Sequence, residues 1–141
     1  MVDEMITLAQ YFGPWIDSPD VTDLRLANAQ RLLDACLALE TIAIEDGVSF
    51  PINPVTRSQI SGEKLGGFRP QDCTIGAKTS AHKEGLAIDR YDPDNSIDAW
   101  CMAHQDKLAQ CGIYIESPTA TPHWSHWTVR APASGNRVFM P

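Results

Sequence analysis

Two short stretches of this chain carry side chains able to do chemistry together. The segment TSAHKEGLAID (79–89) places His82 and Asp89 seven positions apart, with Gly85 between them and an apolar run leading to the acid. In the carboxyl-terminal third, HWSHW (123–127) adds His123 and His126. Two imidazoles and a carboxylate are the donors of an open catalytic zinc site, which leaves a fourth position to water. A carboxylate that closes an apolar run is either solvated or held by a partner, since an unpaired buried charge is costly. A cation is one such partner. Arg90, Arg57 or Arg69 are others, with His82 then capping a turn. Side chains alternate along a strand, so in a regular strand positions 123 and 126 face opposite ways and only one serves as a ligand. His104 falls inside a helical pattern and reads as an ordinary surface or interface histidine.

These groups need elements to position them. From Thr22 to Asp46, Leu26, Ala29, Leu33, Cys36, Leu37, Leu39 and Ala43 recur near a helical period, with Gly47 placed as a stop. This predicts the longest helix. The preceding YFGPWIDSPD is broken by Gly13, Pro14 and Pro19, which predicts a small helix and turn with Phe12 and Trp15 as core anchors. After Gly47 the period shortens, and VSFPI, TRSQIS and LAIDRYD read as extended pieces separated by Pro, Gly and Asn. A second helix is predicted over 96–111, capped by Asn95 or Ser96 and stopped by Gly112. GIYIE then reads as a strand, and HWSHWTV as a strand followed by an irregular wrap. The expected class is α+β, a small antiparallel sheet flanked by helices. No linker divides the chain, so residues 1–141 form one expected domain, mainly helical over 1–47, with the strands, the site and the second helix over 48–141.

Bulk properties exclude several functions. A chain of 141 residues buries a core without staples, and 43% hydrophobic with 21% charged residues is a globular composition. No stretch approaches the roughly 18 consecutive apolar residues of a membrane span, so no membrane partner is expected. The net charge of −7 argues against a broad basic surface for nucleic acid. MVDEMITLAQYF carries acids where an export signal is positive, which predicts synthesis in the cytoplasm without a signal peptide. Cys36, Cys73, Cys101 and Cys111 lack Cys-x-x-Cys spacing and read as free thiols.

SAHKEGLAID resembles the Ser-x-His-x-x-Gly-x-Ala-x-Asp motif of the zinc D-Ala-D-Ala carboxypeptidases and dipeptidases of the VanX type, together with the L-alanyl-D-glutamate endopeptidases used as phage endolysins. The resemblance extends upstream through SGEKLGGFRPQDCTIGA and downstream through YDP and WSHW to ASGNRVFMP, from about Ile52 to Pro141, and is strongest to compact phage-encoded members. It implies a zinc peptidase acting on D-amino-acid-containing stem peptides of bacterial peptidoglycan. His82, Asp89 and His126 would be the zinc ligands, Arg69 the cation that binds a substrate carbonyl or carboxylate, and Ser80 a supporting hydrogen-bonding residue. A phage protein of this kind would reach the wall after membrane permeabilisation or as part of the virion.

The chain departs from the family at one position. The family places Glu-x-x-His at the third ligand, the glutamate serving as proton acceptor; here that position is His123. Imidazole titrates near neutrality and is one candidate base. Glu116, which ends GIYIE, is the other leading candidate, and Glu84, two residues after His82, ranks below both. Trp124 and Trp127 flank His126, as cleft wall or core. The departure also leaves room for a phage virion or tail protein that keeps the fold, with or without the zinc, but does not turn over, or for an unmetallated scaffold.

Overall fold

A computed structural model describes residues 6–141; the acids of MVDEM, read above against an export signal, lie outside the described residues. Helix α1 (Leu8–Phe12) opens with a capping box: Thr7 Oγ1 accepts from Gln10 N at 3.1 Å and Gln10 Oε1 accepts from Thr7 N at 3.0 Å. Gly13 and Pro14 end it in one tight turn. Tyr11 and Phe12 enter the core, while Trp15 packs at its edge with the indole N–H on the Lys64 carbonyl.

Helix α2 (Asp23–Glu45) runs as the periodicity predicts, capped by Thr22 Oγ1 on Arg25 N and followed by Gly47. Its buried stripe differs from expectation at both ends. Leu26 is exposed and Leu37 half-buried, whereas Leu32 and Glu40 lie inside. Glu40 is drawn in by Arg90, whose Nη2 lies 3.3 Å from Oε1 and 3.0 Å from Gln59 Oε1. The Arg90 guanidinium lies over the rings of both Phe50 and Trp127, 4.9 and 4.8 Å from their centroids.

The single helix expected over 96–111 is two: α3 (Ser96–Ala103) and α4 (Gln105–Cys111). The break has a local cause. His104 Nδ1 donates to the Trp100 carbonyl at 2.8 Å, taking the acceptor that the His104 amide would use in a continuous helix. The amide turns to Cys101 O instead. Neither Asn95 nor Ser96 caps α3 with its side chain; Asp92 does, accepting from Ile97 N and Asp98 N, each at 2.9 Å.

Among the described residues, four strands form one sheet in the order β1 (Ala87–Tyr91), β3 (Trp124–Thr128), β2 (Tyr114–Glu116), β4 (Val138–Phe139). The first three are antiparallel neighbours, and β4 adds a parallel edge that the sequence read as irregular wrap. The class is α+β, as expected. VSFPI and TRSQIS form no strand; residues 53 and 58 close a turn, and Ile60 makes an isolated bridge to Arg90. Asn53, Thr56 and Ser58 side chains hydrogen-bond the local backbone there, in competition with a continuous ladder.

One sheet row, Ile88, Trp127 and Ile115, is fully buried and joins α2 and the second helical pair in the core. No helix among the described residues is long and apolar enough to cross a membrane. All four cysteines are free thiols, with Cys36 and Cys101 buried. Burial pushes the Cys36 thiol up to about 12, so it is inert as a nucleophile at neutral pH.

Where α3 meets β3, Asp98 is fully buried, with Oδ2 accepting from Thr121 Oγ1 at 2.8 Å and Oδ1 without a partner. Burial raises its pKa to about 6, against the hydrogen bonds it receives. The folded state therefore holds the proton more tightly than the unfolded chain. The stability this contributes is fully present below about pH 4 and is lost as pH rises through 6. Asp98→Asn removes the titration. Urea denaturation at about pH 4 and 7.5 should show the variant gaining on the parent, on the order of 1–2 kcal/mol, as pH rises; a pH-independent difference would count against the raised pKa.

Candidate metal centre

The sheet register builds the site. Asp89 on β1 pairs directly with His126 on β3, and the next step of the β2–β3 register brings Glu116 to the other side of His126. Directly paired residues project from the same face, so these three side chains form one transverse row beside the buried Ile88–Trp127–Ile115 row. His126 Nδ1 lies 2.8 Å from Asp89 Oδ1, and Nε2 lies 3.7 Å from Glu116 Oε1.

His82 reaches the row from outside the sheet. Ser80 starts a 3-10 turn over Ala81–Glu84, its Oγ accepting from His82 N at 3.2 Å, and Gly85 ends it at φ +74. This turn docks on the start of α2. Arg25 pairs with Glu84 at 3.2 Å, Asn28 donates to the Glu84 carbonyl at 2.9 Å, and a Cβ on Gly85 would stand 2.6 Å from the Arg25 carbonyl oxygen. The imidazole of His82 then lies with Nε2 3.4 Å from Asp89 Oδ1.

A segment that sequence reasoning did not single out, Gly66-Gly67, orients both ligands. Gly66 O accepts from Asp89 N at 2.7 Å, and Gly67 O accepts from His82 Nδ1 at 2.8 Å. The second bond makes Nδ1 the donor and turns Nε2 toward Asp89. Phe68 N donates to Tyr11 O, and a Cβ on Gly67 would fall 2.1 Å from that same oxygen. The glycine pair in LGGFRP was the available signal: adjacent glycines before a site arginine permit close backbone approach.

Asp89, His82 and His126 are all buried. Burial alone would push the Asp89 carboxyl up, but the charge of His82 and hydrogen bonds from both histidines hold it well below the usual carboxylate range. Burial also works against charge on His126, yet the hydrogen bond and charge of Asp89, with Glu116 beyond, raise its pKa. Arg69 Nη2 faces Asp89 Oδ2 at 3.5 Å.

The donor set could hold a metal ion. One ligand atom from each residue lies within 4.8 Å of the others. Bonds of about 2.0–2.1 Å in a tetrahedron separate donors by roughly 3.3 Å, against 2.8 and 3.4 Å for the two contacts to Asp89 Oδ1. His82 would present Nε2 and Asp89 Oδ1, while His126 turns Nδ1 toward them.

The group lies at the wall of a cavity of about 390 Å³ that also takes in Arg69, Ser80, Glu116 and Trp124. Two candidate bases fall outside it. His123 sits at φ +73 before β3 begins, exposed, with Nδ1 donating to the Pro93 carbonyl at 3.0 Å. The turn that feeds the strand rotates it away from His126. Glu84 is held by Arg25 on the α2 side. Trp127 belongs to the core and Trp124 to the cavity wall. His104 stacks on Trp100 at 4.5 Å, away from the site.

Comparison of the chain with family models, curated proteins and solved structures finds no match in any of the three.

Elemental analysis of the purified protein should find about one zinc per chain, lost in His82→Ala and in His126→Ala; zinc retained in both variants would rule out this ligand set. Gly67→Ala forces Tyr11 and the glycine strap apart. It should cost at least about 2 kcal/mol in denaturant unfolding and weaken zinc retention, whereas an unchanged unfolding midpoint would show that the strap yields freely.

Proposed function

We propose that this protein is a zinc-dependent peptidase that hydrolyses amide bonds in the D-amino-acid-containing stem peptides of bacterial peptidoglycan. The observation that carries the reading is the convergence of His82, Asp89 and His126 at a cavity that also holds Glu116 and Arg69. The peptidoglycan part rests on the sequence resemblance of SAHKEGLAID and its flanks.

A bound zinc would supply Lewis-acid polarisation of a carbonyl and a lowered pKa for water. The protein's own groups account for the rest. Asp89 and the two histidines hold the ion, with Gly67 and Ser80 setting His82. Arg69, immobilised by Leu65 and Ile75 carbonyls at 2.8 and 3.3 Å, offers a fixed positive charge to the oxygen on which negative charge develops. Glu116 is the base: its carboxylate borders the cavity beside His126 and lies on a strand, so it can take a proton from water and return it to the leaving amine without moving the backbone. It replaces, from β2, the glutamate that the resembling family carries three residues before the third ligand.

A second reading is favoured by one observation. The position of the family glutamate is a histidine turned to Pro93, which suits a phage virion or tail component that keeps the site without turnover. Action at the cell wall, from the virion or after permeabilisation, belongs to either reading.

Mass spectrometry of peptidoglycan fragments incubated with the zinc-loaded protein separates the two. The peptidase should release a cleaved stem peptide. Glu116→Gln should lower kcat by about 10²–10⁴ with zinc content unchanged, and His123→Ala should leave the rate near the parent's. A zinc-loaded parent that cleaves no stem peptide would favour the binding component.

A further inference from the structure

Trp124, His126 and Thr128 of β3 all line the cavity, while the alternate residues Ser125 and Trp127 are buried. Arg130 continues this series by two positions, where the chain leaves the strand, and it lines the cavity as well. The ligand His126 therefore has an aromatic ring on one side of it along the chain and a cation on the other. Arg130 lies at most about 13 Å further on, at roughly 3.3 Å per residue.

The two arginines of the cavity are in different situations. Arg69 is committed through all its guanidinium nitrogens, to Asp89 and to the Leu65 and Ile75 carbonyls. A Cβ on Gly76 would meet its Nη1 at 2.5 Å, so the guanidinium is closely walled in. Arg130 is anchored only by its backbone, whose N–H donates to Thr128 Oγ1 at 3.0 Å. Arg130 is an exposed residue of the cavity lining, and its side chain pairs with no acid among the described residues. This occurs in a chain of net charge −7, where acids outnumber basic residues. The cavity's own carboxylates, Asp89 and Glu116, face the histidines.

We propose that Arg130 is the specificity-determining cation of this cavity and binds a carboxylate of the peptide ligand, on the side of His126 opposite Trp124. The planar fork of a guanidinium matches a carboxylate with two parallel N–H donors, and a cation with no acidic partner among the described residues forfeits no pair there on binding. The ligand's class rests on the peptidase reading above. The contact itself requires only an anionic peptide in the cavity. It would make the cavity selective for peptides with a free carboxylate on one side of the metal ligands and an apolar group against Trp124 on the other.

Isothermal titration calorimetry on the full chain with zinc added tests this, using acetyl-L-alanyl-D-glutamate, its two mono-amides and its diamide. Parent affinity should fall about tenfold or more when the recognised carboxylate is amidated. The mono-amide that causes the fall tells whether the terminal or the side-chain carboxylate is bound. Arg130→Gln should bind the diacid as weakly as the parent binds that amide, and Arg130→Lys should recover part of the loss. Circular dichroism checks that both variants fold. Equal parent affinity for acid and amides, undetectable parent binding of all four peptides, or an Arg130→Gln variant with parent affinities would overturn the proposal. Zinc content and peptide integrity, read on the same samples, report separately on the peptidase reading. A parent that discriminates acid from amide while holding no zinc and leaving the peptides intact would keep the Arg130 contact and lose the peptidase.

Discussion

The constraint on which the rest depends is the burial of the Asp89 carboxylate, 7% exposed, on a strand whose neighbours Ile88 and Arg90 face the core. A charge in that position is tolerable only with donors and positive groups around it. Each surrounding element supplies one: the His82 turn, His126 from the paired strand, Arg69 from the segment after the glycine pair. Even the backbone of Asp89 is tied on both sides, its N–H to Gly66 O and its C=O to Ser61 N. The arrangement that makes the carboxylate affordable in the fold is also the arrangement of a metal-ligand set.

The sheet does two jobs by simple alternation. Ile88, Trp127 and Ile115 form a dry row, and Asp89, His126 and Glu116 form the next one, so a shift of one residue in the β1–β3 register would exchange core for site. The core row is the stronger determinant of register, because burying Trp127 and two isoleucines removes far more apolar surface than the site row gains in contacts. Hydrophobic burial thus positions the polar constellation. Arg90 and Glu40 pin the same strand from behind, with the guanidinium over the rings of Phe50 and Trp127.

The long helix contributes to the site without entering the cavity. Its first turns hold Glu84 and pack against Gly85, which sets the turn that presents His82. Glu84 is thereby a docking residue, and Arg25 is part of the scaffold of His82, distant in sequence though not in space. His123 shows the same principle from the other side: one residue outside the strand, its φ of +73 sends the ring to Pro93 instead of to the ligand three positions on.

The sequence by itself determined the α+β class, the long helix with its Gly47 stop and the strands around Asp89, Glu116 and His126, whereas the choice of His126 to join His82 and Asp89 rested on a motif resemblance. These were legible because period, breakers and motif spacing are local properties of the chain. Tertiary structure decided what depends on partners distant in sequence. It drew Glu40 into the core toward Arg90, added β4 as a parallel edge, and made Gly66-Gly67 the strap that orients His82. It also placed Glu116 beside His126, while Glu84 lies against Arg25 and His123 against Pro93. A carboxylate or imidazole has the same composition wherever it points, and only the register of β2 against β3 and the turn before Trp124 determine which one faces the cavity.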